Sequence, residues 1–543
     1  MKTNIYEIAA RQAMTRRRLL QGVAAVGAAS AVSGLGLRPA FAQDDVRKAI
    51  LAIPGVGKGS PTDADWQKVG EMTLAATKAN VAEGEFAGVE LTFMGLNNQN
   101  LHNFLFRGFL KPWETYTGAK INWIDLAQGD YNPRLQQAIA TGTVDFDIIE
   151  MGAPLEGDAA GKGLLDEMPD WVKDQIDMAD YVGYLQAPVG TWAGKTYRVT
   201  IDGDCHTFAY RTDYFGDGAI SGMAAAPTTW QEVNALGPKL KGQKDPLTGL
   251  DAYGFLDPLK GWGGFGFYFL EDRASAYAKH PDDPAWLFDP DTMKPRVNNP
   301  GWVQAIQDVM DAMPNLPPDQ INADPGTTAF QQFLAGTGSM ICWWGDVGSS
   351  ARTSDSSVVG DVVGFSINPG SDKVYNSKTS AWETPEGGNF APNMAYLGWG
   401  VYVTNRVSAD EKKRKAAWSA AAHLGGKDIS LWMAAYPSGF QPYRNSQFNY
   451  DEWEAAGYDR AFIEDYLGSN LDSYNHKNAA IEPRIPGIFQ YYSVAEDELA
   501  KGYGGTYKSA QETADAIAAA WEKITDQIGR DSQIALYKAS LGM

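Results

Sequence analysis

The chain has 543 residues, 44% of them hydrophobic, with 66 acidic against 46 basic side chains and a formal net charge of −20. That length can bury several cores and sets a prior of two or three domains. So acidic a surface repels phosphate backbones, which excludes nucleic acids and anionic membranes as partners.

Thr15-Arg16-Arg17-Arg18-Leu19-Leu20-Gln21 follows the twin-arginine pattern, in which a polar residue and two arginines precede an apolar pair. A mildly apolar stretch runs from Leu19 to Leu37, and Ala40-Phe41-Ala42 supplies the small residues of a cleavage site. The stretch is short and weakly apolar for a membrane span. Residues 1–42 therefore read as a signal peptide removed after Ala42, for export by the twin-arginine route to the periplasm. They carry a net charge of +5, so the remainder carries −25. The two cysteines, Cys205 and Cys342, lie far apart in apolar segments and read as free buried thiols.

A Pro/Gly connector at 54–59 and a helical pattern over 62–82 make residues 43–87 an N-terminal helical extension on the main body. Val89–Met94 then alternates as a strand. Leu101, Phe104, Leu105 and Trp113 supply a helical face ending near Gly118. Lys120–Leu126 is a second strand. Asn132 caps a helix with Pro133 at its first position, stopped by Gly142. Phe146–Ile149 is a third strand. Such a β-α-β-α-β run makes a parallel sheet covered by helices. Ligands of such sheets bind at the carboxyl ends of the strands, here Asn98, Gln99 and the 151–154 segment. From 215 to 395 the texture turns to Pro, Gly and aromatic residues. Ser408 with Glu411, and Ser509 with Glu512, read as capping boxes opening two late helices.

Several motifs resemble catalytic or cofactor signatures without completing them. Gly55–Ser60 has the wrong spacing for a phosphate loop, and Gly261-Trp262-Gly263-Gly264-Phe265-Gly266 matches GxGxxG without a strand before it or a helix after it. Asp202-Gly203-Asp204 lacks the downstream residues of a calcium loop. There is no HExxH, GxSxG or CxxC, and the five histidines are scattered. No metal or cofactor is expected. Tryptophan and tyrosine rings stack on the apolar faces of sugars, and Asp, Asn, Gln and Arg take the hydroxyl edges. Among 17 tryptophans, the glycine-flanked or loop candidates are Trp262, Trp343, Trp344 and Trp399.

Read in order, the segments from 88 to 527 resemble the extracellular solute-binding proteins of ABC importers, of the carbohydrate-binding type. Gly142–Ile149 is similar to that family's third strand, and Gly163–Met168 to its Gly-Leu-Leu segment. Phe208–Phe215, followed by Pro227–Trp230, resembles the first crossing between lobes. Phe330, Gly338 and Met340 resemble "Phe…Gly-x-Ala-Met", and Gly398-Trp399-Gly400-Val401 resembles the return crossing. Gly439–Arg444 and Arg484–Pro486 complete the set.

The resemblance implies an α/β fold of the type II-like two-lobed periplasmic-binding-protein kind, with an interlobe cleft and hinge strands. One lobe would hold 88–205 and 400–450, the other 206–399 and 451–543. It implies a monomer that binds a sugar, short oligosaccharide or sugar alcohol and hands it to ABC permease subunits, without catalysis. Trp399 and Arg444 match ligand contacts; Trp343, Trp344 and Asp346 follow the "Ala-Met" strand; Asp202 and Asp204 precede the first crossing; Asn98 and Gln99 end the first strand. The chain departs in its extra length at 43–87, 240–300 and 370–395. Cys342-Trp343-Trp344 also replaces the usual texture, leaving open which tryptophan faces the ligand. Two other readings remain: a binding protein for a polyamine or similar cation, suggested by Asp202, Asp204 and Asp346, and an exported glycoside hydrolase or cofactor oxidoreductase.

Overall fold

A computed structural model describes residues 63–96, 102–261, 263–318, 320, 325–435 and 439–543. The leader, Asn98, Gln99 and Trp262 lie outside the described residues.

Eleven strands are described: β1 (Glu90–Leu96), β2 (Lys120–Leu126), β3 (Ile148–Gly152), β4 (Arg198–Thr200), β5 (His206–Arg211), β6 (Tyr253–Phe255), β7 (Gly338–Trp344), β8 (Val363–Ser366), β9 (Val374–Asn376), β10 (Ala381–Glu383) and β11 (Trp399–Val403). The first sheet runs β2-β1-β3-β11-β4 and the second β6-β7-β5-β8, while β9 and β10 form a hairpin. In the first sheet β1 is parallel to β2 and β3, as the sequence predicts for a β-α-β-α-β unit. β11 returns antiparallel to both β3 and β4. The helices His102–Thr117 and Gln128–Thr141 supply the two crossovers and bury Leu105, Phe106 and Trp113, and Leu135 and Ile139, in separate cores. A third and larger core surrounds the second sheet.

Several local expectations differ. The helix over Gln128–Thr141 starts after Ala127, so Asn132 does not cap it, and Pro133 lies within the helix at the cost of one hydrogen bond. Asp410, not Ser408, caps the helix Glu411–Leu424 by accepting from the Lys413 N–H. The Ser408 hydroxyl is drawn instead to Asp166, at 2.8 Å. Ser509 does accept the Glu512 N–H, but the Glu512 carboxylate takes the Lys508 N–H, leaving half a box. Both cysteines are free and buried.

The helix Asp63–Met72 is laid on the helix 102–117. Trp66 meets Phe104 edge to face at 4.4 Å, and a Cβ at Gly108 would stand 2.5 Å from that of Trp66. Thr77 and His423 then tie the segment to Phe109 through bonds of 3.1 Å. Trp66 is buried, so Trp66→Ala, which leaves a large cavity, will lower stability by about 3 kcal/mol, read by urea unfolding.

Candidate functional site

Two stretches of chain pass between the sheets side by side. The 201–205 segment joins β4 to β5, and 393–398 leads into β11. The Ile201 N–H donates to the Trp399 carbonyl at 3.0 Å and the His206 N–H to that of Asn393 at 2.9 Å. Gly398 has a φ of +84°, and a Cβ there would lie 2.1 Å from the Asp202 carbonyl oxygen. Only glycine permits so close a crossing. Tyr396 and Leu397 before it also have positive φ, 73° and 51°, so three successive residues hold a left-handed turn that stores strain. Tyr396 belongs to the core of the second sheet and Leu397 to that of the first.

Trp399 follows this turn. Among the described residues it alone packs against all three cores, and it is only partly buried. Its ring lies 4.9 Å from Tyr396, 5.8 Å from His102 and 6.5 Å from Tyr131. These neighbours are fixed from the first sheet. His102 Nδ1 pairs with Glu150 on β3 and its ring stacks on Phe440 at 4.3 Å; the Tyr131 hydroxyl donates to the Glu150 carbonyl. A Cβ on Gly152 would fall 2.1 Å from the Tyr396 ring, so glycine at the end of β3 is what admits that phenol.

Gln441 binds the 201–205 crossing through its backbone and its side chain. Its backbone N–H donates to Asp202 Oδ1 and its Nε2 to Asp204 Oδ1, both at 2.6 Å; its Oε1 accepts the Gly345 N–H at 2.8 Å. Asp202 and Asp204 are buried, and the second oxygen of each has no hydrogen-bond partner. Burial pushes the Asp202 carboxyl up to about 7 and lifts Asp204 and Asp346 well above the ordinary carboxylate range, with Asp202 repelling both. A second buried acidic pair includes Glu482, beside the Tyr396 backbone, and its neighbour Glu271: burial raises Glu482 to about 8 and Glu271 well above its usual range. The Tyr268 hydroxyl donates to Glu482 at 2.8 Å.

The tryptophan pair divides by the alternation of β7. Trp343 is sandwiched between Phe330 at 4.7 Å and Phe269 at 5.5 Å, inside the second core. Trp344 sits at the crossing, its Nε1 donating to the Ala395 carbonyl at 3.3 Å and its edge on His206 at 4.5 Å. Arg444 is fully buried, its guanidinium donating to the carbonyls of Ile176, Asp177 and Gly425. These bonds hold it to the frame around the first sheet. The structure thus gathers Asp202, Asp204, Asp346, Trp344 and Trp399 about the crossings, and not Trp343 or Arg444. Tyr131, His102 and Tyr396 carry no local sequence signal, since they meet only through the crossover topology, and Gln441 falls within the Gly439–Arg444 segment without that segment marking its role.

The glycine-rich loop differs from its sequence reading. The helix Gly266–Ala278 begins directly on it, and Glu496 fills the loop: Oε1 accepts from the Gly261 N–H at 2.9 Å, and Oε2 from those of Gly264 and Gly266 at 2.8 and 3.1 Å. The carboxylate thus occupies the anion cradle that such a loop and helix start provide. The loop carries Phe265, whose ring is 5.0 Å from Tyr396 and 6.1 Å from Trp344. Among the described residues, no group of His, Cys, Asp and Glu is arranged to hold a metal ion, and no helix is long and apolar enough to cross a membrane.

The bacterial extracellular solute-binding protein family matches residues 109–456. The chain belongs to that family. No curated protein matches it in sequence. Among solved structures it is similar to an ABC transporter solute-binding protein of Agrobacterium radiobacter in complex with ribitol, at 20% identity and a TM-score of 0.63, over 81% of this chain and 99% of that one. A protein of Agrobacterium vitis with bound D-mannitol is 18% identical (TM-score 0.60; 81% and 99% covered). The maltose-bound MalE3 of T. maritima is 17% identical (0.60; 80% and 100%). The fold is that of the two-lobed solute-binding proteins, and this family is one of binding proteins.

Two predictions follow from this geometry. Between about pH 4 and 7 the folded chain keeps the Asp202 proton that an unfolded chain has lost, so stability falls as pH rises through that window. The slope is at most about 1.4 kcal/mol per pH unit for this group. Asp202→Asn will flatten that part of a melting-temperature profile against pH. Glu496→Ala leaves three loop N–H groups without their acceptor and will cost about 3 kcal/mol, measured by chemical unfolding.

Proposed function

We propose that this protein is the substrate-binding component of an ABC importer and takes a sugar, short oligosaccharide or sugar alcohol between its lobes. The observation that carries the reading is Trp399, a partly open ring where three cores meet, with His102, Tyr131 and Tyr396 around it. An aromatic face beside hydroxyl-bonding groups suits a polyhydroxylated solute. The relatives with ribitol, D-mannitol and maltose bound support that class. Burial shifts Asp202, Asp204 and Asp346 toward their protonated forms, and a carboxyl that holds its proton both donates and accepts, as hydroxyl recognition needs. Asn98, Gln99 and Trp262 complete the proposed lining by their place in the sequence.

In this reading the twin-arginine leader delivers a monomer to the periplasm, with no catalytic step. The lobes, 88–205 with 400–450 and 206–399 with 451–543, close on the solute about the two crossings and present the closed form to permease subunits. The left-handed turn at 396–398 is where that motion would bend the chain.

A thermal-shift panel of alditols, mono- and oligosaccharides tests it, because a ligand at a hundred times its Kd stabilises by about 2.7 kcal/mol. At least one polyol will raise the melting temperature, and Trp399→Ala will weaken that ligand about tenfold or more by calorimetry. The unpartnered oxygens of Asp202 and Asp204 motivate one second reading, a polyamine solute. Putrescine or spermidine shifting the protein where every polyol fails would decide for it.

A further inference from the structure

A cavity of about 400 Å³ opens in the second lobe, with none of the crossing residues in its lining, and every side chain that lines it carries a polar group. It lies among the helices Trp230–Leu240, Gly266–Ala278 and Pro300–Ala312 and the β9–β10 hairpin. Tyr277, one of its walls, is eleven residues from Gly266, about 16 Å along the helix from the end that meets the glycine-rich loop. A volume of this size accommodates a small sugar or alditol.

The polar groups are pre-arranged. Buried Asp308 accepts from the Tyr277 hydroxyl and, at 2.8 Å, from Gln304 Nε2. Gln304 Oε1 accepts in turn from Lys373 Nζ at 3.4 Å, and Asn234 Oδ1 from Arg273 at 2.8 Å. The fixed side chains thus display carboxylate, amide, ammonium and phenol groups around one space, an alternation of donors and acceptors that matches hydroxyls, which do both. Asp308 and Asp372 outnumber Lys373, which disfavours an anion, while the resident ammonium already supplies the cation an amine ligand would bring.

The rim carries the aromatic part. Trp382 on β10 is 37% exposed, a rare state for a tryptophan. Its partner across the hairpin is Tyr375, with ring centroids 5.7 Å apart, and Lys373 Nζ stands 4.4 Å over its ring. Thr384, just past the end of β10, lines the cavity, as does Lys373, whose ammonium joins the Trp382 ring to it. This hairpin lies in the 370–395 segment that lengthens the chain.

We propose that the cavity beside Trp382 is a second saccharide- or alditol-binding site, independent of the interlobe cleft. Protein labelled with 5-fluorotryptophan tests it by fluorine NMR, the Trp382 resonance being assigned with Trp382→Phe. Titration with maltose, ribitol and D-mannitol is expected to move that resonance saturably for at least one of them. The shift will persist in Trp399→Ala, which disables the cleft alone. It will need about tenfold more ligand in Gln231→Ala and in Thr384→Trp, which fills the cavity from an exposed position. The proposal is overturned if the resonance stays still for all three up to about 50 mM, weaker than any useful site. It is equally overturned if the shift vanishes with Trp399→Ala, or if the two cavity variants leave the titration unchanged. Failure of the cleft reading alone would show as an unchanged Trp382 titration with no Trp399-dependent binding.

Discussion

The rest of the molecule depends on two peptide strands that cross between the sheets in contact, the first of them held by Gln441. Where chain passes from one sheet to another, neither ladder satisfies its polar groups, yet this passage is buried. Gln441 ties the 201–205 crossing to the loop after β7: its backbone N–H donates to Asp202, its side-chain amide donates to Asp204, and the amide oxygen accepts the Gly345 N–H. The second crossing rests on the first, held close by Gly398 against the Asp202 carbonyl. Burial raises the carboxyls of both Asp202 and Asp204, since as carboxylates they would lose hydration and repel each other in a medium that screens poorly. Trp399, next along the chain, inherits its position from this knot.

Much of the first lobe was legible because its elements obey simple periodicities. Strands β1 and β2 alternate, their helices show one apolar face, and glycines stop them. The helix Gly266–Ala278 defeats such reading: all thirteen of its residues are buried, including Glu271, Asp272 and Arg273, so no polar face marks its turn. Its charges are accommodated by partners far away in sequence, as Arg273 is by Asp257 at 2.7 Å. Capping failed for a related reason. Ser408 has the right spacing for a cap, but a buried acid from another segment competes for its hydroxyl and wins.

The site divides the same way. Trp399 could be placed because a crossing strand has a recognisable flank of glycines. Trp343 and Trp344 could not be told apart, since adjacent residues on a strand face opposite ways and the register appears only when β7 pairs with β5. Arg444 shows the limit of carrying a role by position: its planar fork suits a sugar hydroxyl and three backbone carbonyls equally well, and the structure uses the carbonyls. Tyr396 could not be found at all, because its role comes from a left-handed backbone that tyrosine seldom adopts.

The glycine-rich loop closed by Glu496 has a bearing on how the protein's selectivity could change over generations. A ring of convergent N–H groups at the start of a buried helix is an attractive seat for any negatively charged visitor, and the chain has installed its own permanent tenant. The aromatic wall beside it is therefore set against a neutralised background. One substitution at position 496 would vacate the seat and leave three N–H groups turned toward whatever anion could reach them. An anion seat is thus latent in the fold, filled by a single side chain some 230 residues away in the sequence.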